Sequence, residues 1–277
     1  MNTFRLLLIT LLLTAIPIRG FSYTDDQVVE FGECYYKVVS GTKLTLSFIG
    51  TKASKTGPLN LPAKVTDKNG YILTVIGAEY NPQYRSGGIT SVQLPETMEF
   101  LNSYVFSGAS LTTMNIPKKL QKIDPGAWNS IDRAPKFTVD IQNQYFENDA
   151  NGALYTKGKK ALLSVPSYVT LQGGKYIVHP DVKTISASAF KNVQGLKRIA
   201  LPKNLEKVFE GYPTIAPSSS LEAFEIPQGA PNFKVIDGVL FRDTTLVVYP
   251  IAKPDKNYTV PNEIKAFTYY AMSNNRL

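Results

Sequence analysis

The sequence predicts an α/β repeat solenoid, predominantly β with short helical turns, wound as a right-handed superhelix. Two observations predict it: an apolar spacing that recurs along the chain, and prolines that stand a fixed distance apart within it. In LTTMNIPKKLQKIDPGAW, residues 111–128, Pro117 is taken as position zero. Apolar residues then fall at −6 (Leu111), −3 (Met114), −1 (Ile116), +3 (Leu120) and +6 (Ile123), with a small–large pair, Ala127 and Trp128, at +10 and +11. Around Pro95 the same places hold Ile89, Val92, Leu94, Met98 and Leu101, then Val105 and Phe106, and the two prolines are 22 residues apart.

An L-x-x-L-x-L run at this period is the signature of a leucine-rich repeat, so the fold class is an α/β leucine-rich-repeat solenoid. Each part of a coil has a physical reason. Positions −6, −3 and −1 turn into the solenoid from a short strand that pairs in parallel with its neighbours. Proline at zero has no N–H to donate and forces its predecessor into extended geometry, which stops the strand at a fixed place. A second extended segment carries +3 and +6, and the small–large pair is expected on a helical turn that plugs the far wall. One coil has too little core of its own; stacking supplies the rest.

The elements follow in order. Residues 1–22, MNTFRLLLITLLLTAIPIRGFS, read as a secretory signal peptide: Arg5, an apolar run from Leu6 to Ala15, and a small-x-small site at Gly20-Phe-Ser22, with cleavage after Ser22 or Gly20. The run is too short to span a bilayer comfortably, and Cys34 is not preceded by a lipoprotein signal. Residues 23–55 are a β-rich N-terminal cap in which two strand-forming runs meet at Ser40-Gly41. The array occupies 56–277. It opens with a coil ending at Leu61-Pro62 and enlarged by a hairpin at Asp67-Lys-Asn-Gly70, and continues into the coils of Pro95 and Pro117. Two hairpin-expanded coils follow, at about 133–190 and 221–277, separated by a regular coil around Pro202. Each contains Phe146 or Phe233, an Asn/Asp-Gly turn (Asn151-Gly152, Asp237-Gly238), a Leu-aromatic pair (Leu154-Tyr155, Leu240-Phe241) and a strand ending at Pro166 or Pro250. A second proline-ended strand comes next in each, YIVHP and NYTVP, and then the small–large pairs Ala189-Phe190 and Ala271-Met272. The pattern is broken at Glu210-Gly-Tyr-Pro213, where an irregular coil is expected. The chain stops at Asn274-Asn-Arg-Leu277, where a further strand would begin; a blunt end and a shortened product both fit.

The LTTMNIPKKLQKIDPGAW unit, the NGYILTVIG segment and the DGVLF…LVVYP modules resemble the BspA-like leucine-rich repeat family over residues 56–277. The resemblance implies an exported bacterial surface protein with no catalytic motif, engaged in adhesion to host proteins or other cells.

The residue inventory points the same way. There is one histidine, His179, one residue before Pro180, which reads as structural; there is no Gly-x-Ser-x-Gly turn. Asp67-Lys-Asn-Gly70 superficially resembles a calcium loop, but its glycine comes too early and no glutamate follows at the required distance, so a β-turn is expected. No cofactor, no metal and no catalytic residue is expected. Asn257-Tyr-Thr259 is a glycosylation sequon that matters only in a eukaryotic secretory pathway. A single cysteine precludes an internal disulfide, and Cys34 reads as a buried or edge-strand thiol. The chain has 30 Lys and Arg against 22 Asp and Glu, a net charge of +8; with Arg5 and Arg19 in the leader, the mature protein carries +6. The densest cations, Lys118-Lys119-x-x-Lys122 and Lys157-x-Lys159-Lys160, read as solvated faces or as a weak attraction to acidic polymers, and nucleic acid is not an expected partner.

Strand alternation turns positions −4 and −2 outward. In the regular coils these are Ser91 and Gln93, Thr113 and Asn115, Lys197 or Arg198 with Ala200, and Ala223 with Glu225. Ser91, Gln93, Thr113, Asn115, Arg198 and Glu225 are therefore the candidate binding face, although a merely soluble sheet face fits the same pattern. The function expected is a non-enzymatic secreted or cell-surface protein that binds host extracellular or neighbouring-cell surface proteins, with glycans as a further class, and no membrane span after signal cleavage. The alternative is a parallel β-helix polysaccharide-active enzyme or carbohydrate-binding protein, but such an enzyme needs Asp, Lys and Arg clustered on consecutive coils, and no such cluster is evident.

Overall fold

Short apolar–polar alternations that end at proline can form only short strands, and neighbouring coils must supply their hydrogen bonds. The computed structural model, which describes residues 23–210, 218–255, 257–269 and 271–272, is a β-solenoid of about eight turns with almost no helix. The expected signal peptide, most of the irregular stretch at 210–213 and the end at 274–277 lie outside the described residues.

An antiparallel meander comes first: β1 (Val28–Phe31), β2 (Cys34–Ser40) and β3 (Thr45–Thr51), with β2 and β3 joined through the turn at Ser40-Gly41. In the opening coil β4 (Gly57–Asn60) leads to Leu61-Pro62, and β5 (Lys64–Thr66) folds back on β6 (Ile72–Ala78). The Asp67 carboxylate closes that hairpin, accepting from the N–H groups of Asn69 and Tyr71, both at 2.8 Å. β3 runs parallel to β6, so main-chain bonds join the meander to the array.

The regular coils supply β7 (Ile89–Gln93) with β8 (Phe100–Leu101) and β9 (Thr113–Ile116) with β10 (Lys122–Ile123). A front sheet, β4-β7-β9, is extended by β11 (Lys136–Val139), and all four strands are parallel. β6, β8 and β10 form the parallel back sheet. In the Pro95 coil all seven repeat positions are buried, and Val92, Met114 and Phe137 stack in register across the front sheet. The carbonyl of the position-zero residue accepts from the N–H at +3 in each case, as in Pro95–Met98 and Pro117–Leu120.

The first expanded coil inserts β12 (Phe146–Asn148), β13 (Leu154–Thr156) and β14 (Ala161–Ser164), then returns to front strand β15 (Lys175–Ile177) and back strand β16 (Thr184–Ser186). A regular coil, β17 (Arg198–Ala200) and β18 (Lys207–Glu210), separates it from the second. That one contains β19 (Ala223–Glu225), β20 (Lys234–Ile236), β21 (Val239–Arg242), β22 (Thr245–Val248) and β23 (Ala266–Phe267). The two modules share their topology: two antiparallel pairings and one parallel, with a register shift at Leu154/Tyr155 in one and at Leu240/Phe241 in the other.

Three details differ from expectation. The small–large pairs are buried as foreseen, apart from half-buried Met272, but on successive turns closed by i→i+3 bonds such as Ala127–Asp124 and Ala189–Ser186, and not on helix. Tyr104 (φ 59°) and Phe106 (φ 57°) take left-handed conformations there, which an α-helix excludes. Among the described residues the one helical element is the 3₁₀ turn Lys157–Lys159. The stop after β15 is not Pro180: Tyr176 pairs with Ile199 and Ile177 with Ala200, which puts His179 in the place of Pro202, and its carbonyl accepts from Val182. Finally, residues 257–260 of NYTVP form no strand. YIVHP owes its ladder to β17 in the next coil, and no described strand offers NYTV the same partner.

Trp128 is 1% exposed, its ring centroid lies 5.2 Å from that of Phe137, and its indole N–H has no hydrogen-bond partner. It is held by packing alone. Trp128→Ala is therefore expected to cost about 3–5 kcal/mol in urea unfolding, and Trp128→Phe less than about 1.5 kcal/mol; a cost below about 1 kcal/mol for the alanine variant would refute this role for the plug.

Candidate functional site

Parallel pairing of front strands sets the outward side chains in two rows. Row −4 contains Ser91, Thr113 and Lys136, and row −2 contains Gln93, Asn115 and Thr138. Beyond a step in the sheet, β15, β17 and β19 continue the rows as Lys175, Arg198, Ala223 and as Ile177, Ala200, Glu225. Gln93, Thr113 and Arg198 are exposed, and Ser91, Asn115 and Glu225 half-buried.

The fold uses two of the six candidates. Asn115 accepts from Leu94 N–H at 2.6 Å and donates to Leu94 C=O at 2.9 Å, replacing ladder bonds where β7 runs into Pro95. Glu225 reaches back over Ala200 to Lys175, with Oε2 2.5 Å from Nζ. This surface pair costs little to break. Among the described residues Ser91, Gln93, Thr113 and Arg198 make no side-chain hydrogen bond or ion pair, and so present free polar groups. Ile177, 72% exposed, adds an apolar spot that the repeat pattern did not single out.

The step between the two halves of the front sheet comes from the first hairpin. Its tip, not a strand, lies beside β11: Phe137 N–H donates to Gly152 C=O at 3.0 Å, and Val139 N–H to Asn148 Oδ1 at 2.8 Å. Only glycine fits the tip, because Gly152 has φ 78° and a Cβ there would meet Lys136 Cγ at 2.3 Å. The second module repeats the device, with Phe224 N–H donating to Gly238 C=O at 2.9 Å. Beneath the first tip Asn143 stands at +3, where the regular coils have Met98, Leu120 and Leu205. It is fully buried and satisfied, donating to Pro117 and Leu120 C=O and accepting from Tyr145 and Phe146 N–H. An asparagine at an apolar repeat position was the signal for it.

The remaining chemical groups are structural. His179 Nδ1 accepts from Asp181 N–H at 3.3 Å. Cys34 is a buried thiol whose pKa burial raises. Tyr155 and Tyr176 share a hydroxyl contact at 3.1 Å inside the core, and burial pushes the Tyr155 pKa up to about 12. Among the described residues no group of three His, Cys, Asp or Glu side chains could hold a metal, and no helix is long and apolar enough to cross a membrane.

A parallel-ladder solenoid with proline-stopped front strands and a regular row of outward side chains defines a leucine-rich-repeat protein. The family model for the BspA type leucine rich repeat region matches six copies over residues 81–153 and 173–277, more than half of the chain, and the protein belongs to that family. No curated protein matches the chain. Among solved structures it is similar to the pneumococcal vaccine antigen PcpA, at 15% identity over 88% of this chain and 78% of that one, TM-score 0.45. A leucine-rich repeat protein from Eubacterium ventriosum matches at 17% identity over 71% and 70%, TM-score 0.42. A leucine-rich cell surface protein from Faecalibacterium prausnitzii matches at 14% identity over 73% and 77%, TM-score 0.35.

The outward rows separate structural from free side chains. Asn115→Ala is expected to cost about 1–3 kcal/mol in urea unfolding, because it strands a buried N–H and C=O of Leu94. Thr113→Ala, two residues away, is expected within about 0.5 kcal/mol of the parent. Equal costs for the two would contradict the assignment.

Proposed function

We propose that the mature protein is an exported, non-enzymatic binding protein whose front sheet attaches it to macromolecules of a host or of neighbouring cells. The observation that carries the reading is the sheet face itself: Ser91, Gln93, Thr113 and Arg198 stand on stacked coils with side chains that the fold leaves unused. Repeat proteins use such extended faces for partners. Membership of the BspA-type family supports the adhesive role and the exported location, and the leader-like segment at residues 1–22 supports secretion or surface display. The partners proposed are extracellular or cell-surface proteins, with glycans as a second class.

Capture of matrix proteins or mucin by the immobilised mature chain tests the reading. Binding above background, weakened about 10-fold by Arg198→Glu or Thr113→Arg with folding intact, is the expected result, each such change being worth ~1.4 kcal/mol. Recovery of nothing above background, or binding indifferent to both variants, would overturn it.

A further inference from the structure

The two expanded modules are built alike, so their differences isolate what one has and the other lacks. Counting from Phe137 and Phe224, which both donate to a hairpin-tip glycine, Arg133 and Lys136 correspond to Ser220 and Ala223. Counting from Pro166 and Pro250, Tyr168 corresponds to Ala252 and Val169 to Lys253; at the tips Asn151 corresponds to Asp237. In the second module Lys253 has a side chain only 6% exposed, pairs with Asp237 at 3.0 Å and also pairs with Asp255. That module is neutralised and closed.

The first module is neither. An amide replaces the tip carboxylate, and among the described residues no carboxylate pairs with Arg133 or Lys136. The Arg133 guanidinium lies 4.5 Å from the centroid of the Tyr168 ring and donates from Nη2 to the Tyr168 hydroxyl at 3.2 Å. Tyr168 is 65% exposed. These groups border a cleft of about 600 Å³ at the step between β11 and β15, with Thr112, Asn151 and Thr170 along the same wall.

We propose that this cleft binds an acidic sugar, a uronate- or sialate-type residue of a glycan. Arg133 and Lys136 meet the carboxylate, the exposed Tyr168 ring packs against the sugar, and Asn151, Thr112 and Thr170 hydrogen-bond its hydroxyls. Three observations favour it. The volume suits one or two sugar rings, in the range of small-ligand pockets. The unpaired charges are both positive, and beside the Tyr168 ring and apolar Ala150, Pro166 and Val169 the lining offers the hydroxyl and amide groups of Thr112, Thr170 and Asn151. An acidic peptide added as a strand is disfavoured because the outer edge of β11 is already occupied by Gly152 and Asn148. The site goes beyond the sheet-face reading and shares no residue with its tests, so either can fail alone.

Calorimetric titration of the mature chain at low salt tests the assignment, with trigalacturonate and sialyllactose as probes, lactose as the neutral counterpart and hexaglutamate as the acidic peptide. The expected result is binding of at least one acidic sugar, with lactose and hexaglutamate at least about 10-fold weaker. Arg133→Ala and Tyr168→Ala each lower affinity by at least about 10-fold without moving the melting temperature, and Lys118→Ala, on an exposed loop, leaves it unchanged. If Arg133→Ala fails to fold, Arg133→Gln and Lys136→Gln carry the same expectation. Absence of binding by both acidic sugars at millimolar concentration, equal binding of lactose or hexaglutamate, or an equal loss in Lys118→Ala would overturn the proposal.

Discussion

Every coil of this protein is incomplete by itself. Its strands are two to seven residues long, and in the regular coils their N–H and C=O groups find ladder partners only on the coils before and after. The apolar positions face inward from two or three short segments that do not touch unless neighbours close the gap. Stacking is therefore the condition on which both the backbone bonds and the core depend. The stop at position zero follows from it. A strand that ran on would carry the next inward residue past the corner, so a residue that ends the ladder and turns the chain is needed once per coil. Proline does this at 95, 117 and 202, but the chain tolerates Asp140 and His179 in the same place, because the turn is held by the carbonyl at zero and the N–H at +3.

Stacking also explains the two large modules. An inserted hairpin threatens the front ladder, since a strand beside it would lose its partner. The hairpin tip solves this by offering a glycine carbonyl to the strand, at Gly152 and again at Gly238. The cost is a step in the front sheet. In the second module the step is filled by a buried, doubly paired lysine; in the first it is open, cationic and aromatic. One scaffold thus yields a polar sheet face and, at a single step, a cleft of different chemistry.

The fold was largely legible because a buried apolar position in a repeat has few alternatives. Leu111, Met114, Ile116 and Leu120 all lie inside, and the duplicated Asn/Asp-Gly turns announced the duplicated hairpins. The corners were less legible: Val105-Phe106 and Ala127-Trp128 fit a helical turn or a run of tight turns equally well by spacing, and the left-handed residues Tyr104 and Phe106 carry no sequence mark. His179 was misplaced by one position because Pro180 caught the count, although the pair Ala189-Phe190 already fitted a zero at 179. The outward face was legible as a pattern but not as chemistry. Asn115 and Asn143 are polar residues absorbed by backbone groups of the preceding coil, and Arg133 and Tyr168, 35 residues apart, meet only because the hairpin module brings their loops together.

The array is one continuous stack, with the hairpin tips standing in for ladder strands. Native-state hydrogen exchange of the mature chain measures this directly at two amides. Phe137 and Phe224 N–H are expected to exchange as slowly as Met114 and Ile199 within the regular sheet. Exchange of either at the rate of the exposed loop amides would mean that the ladder is broken at that module, and the single stack would be contradicted.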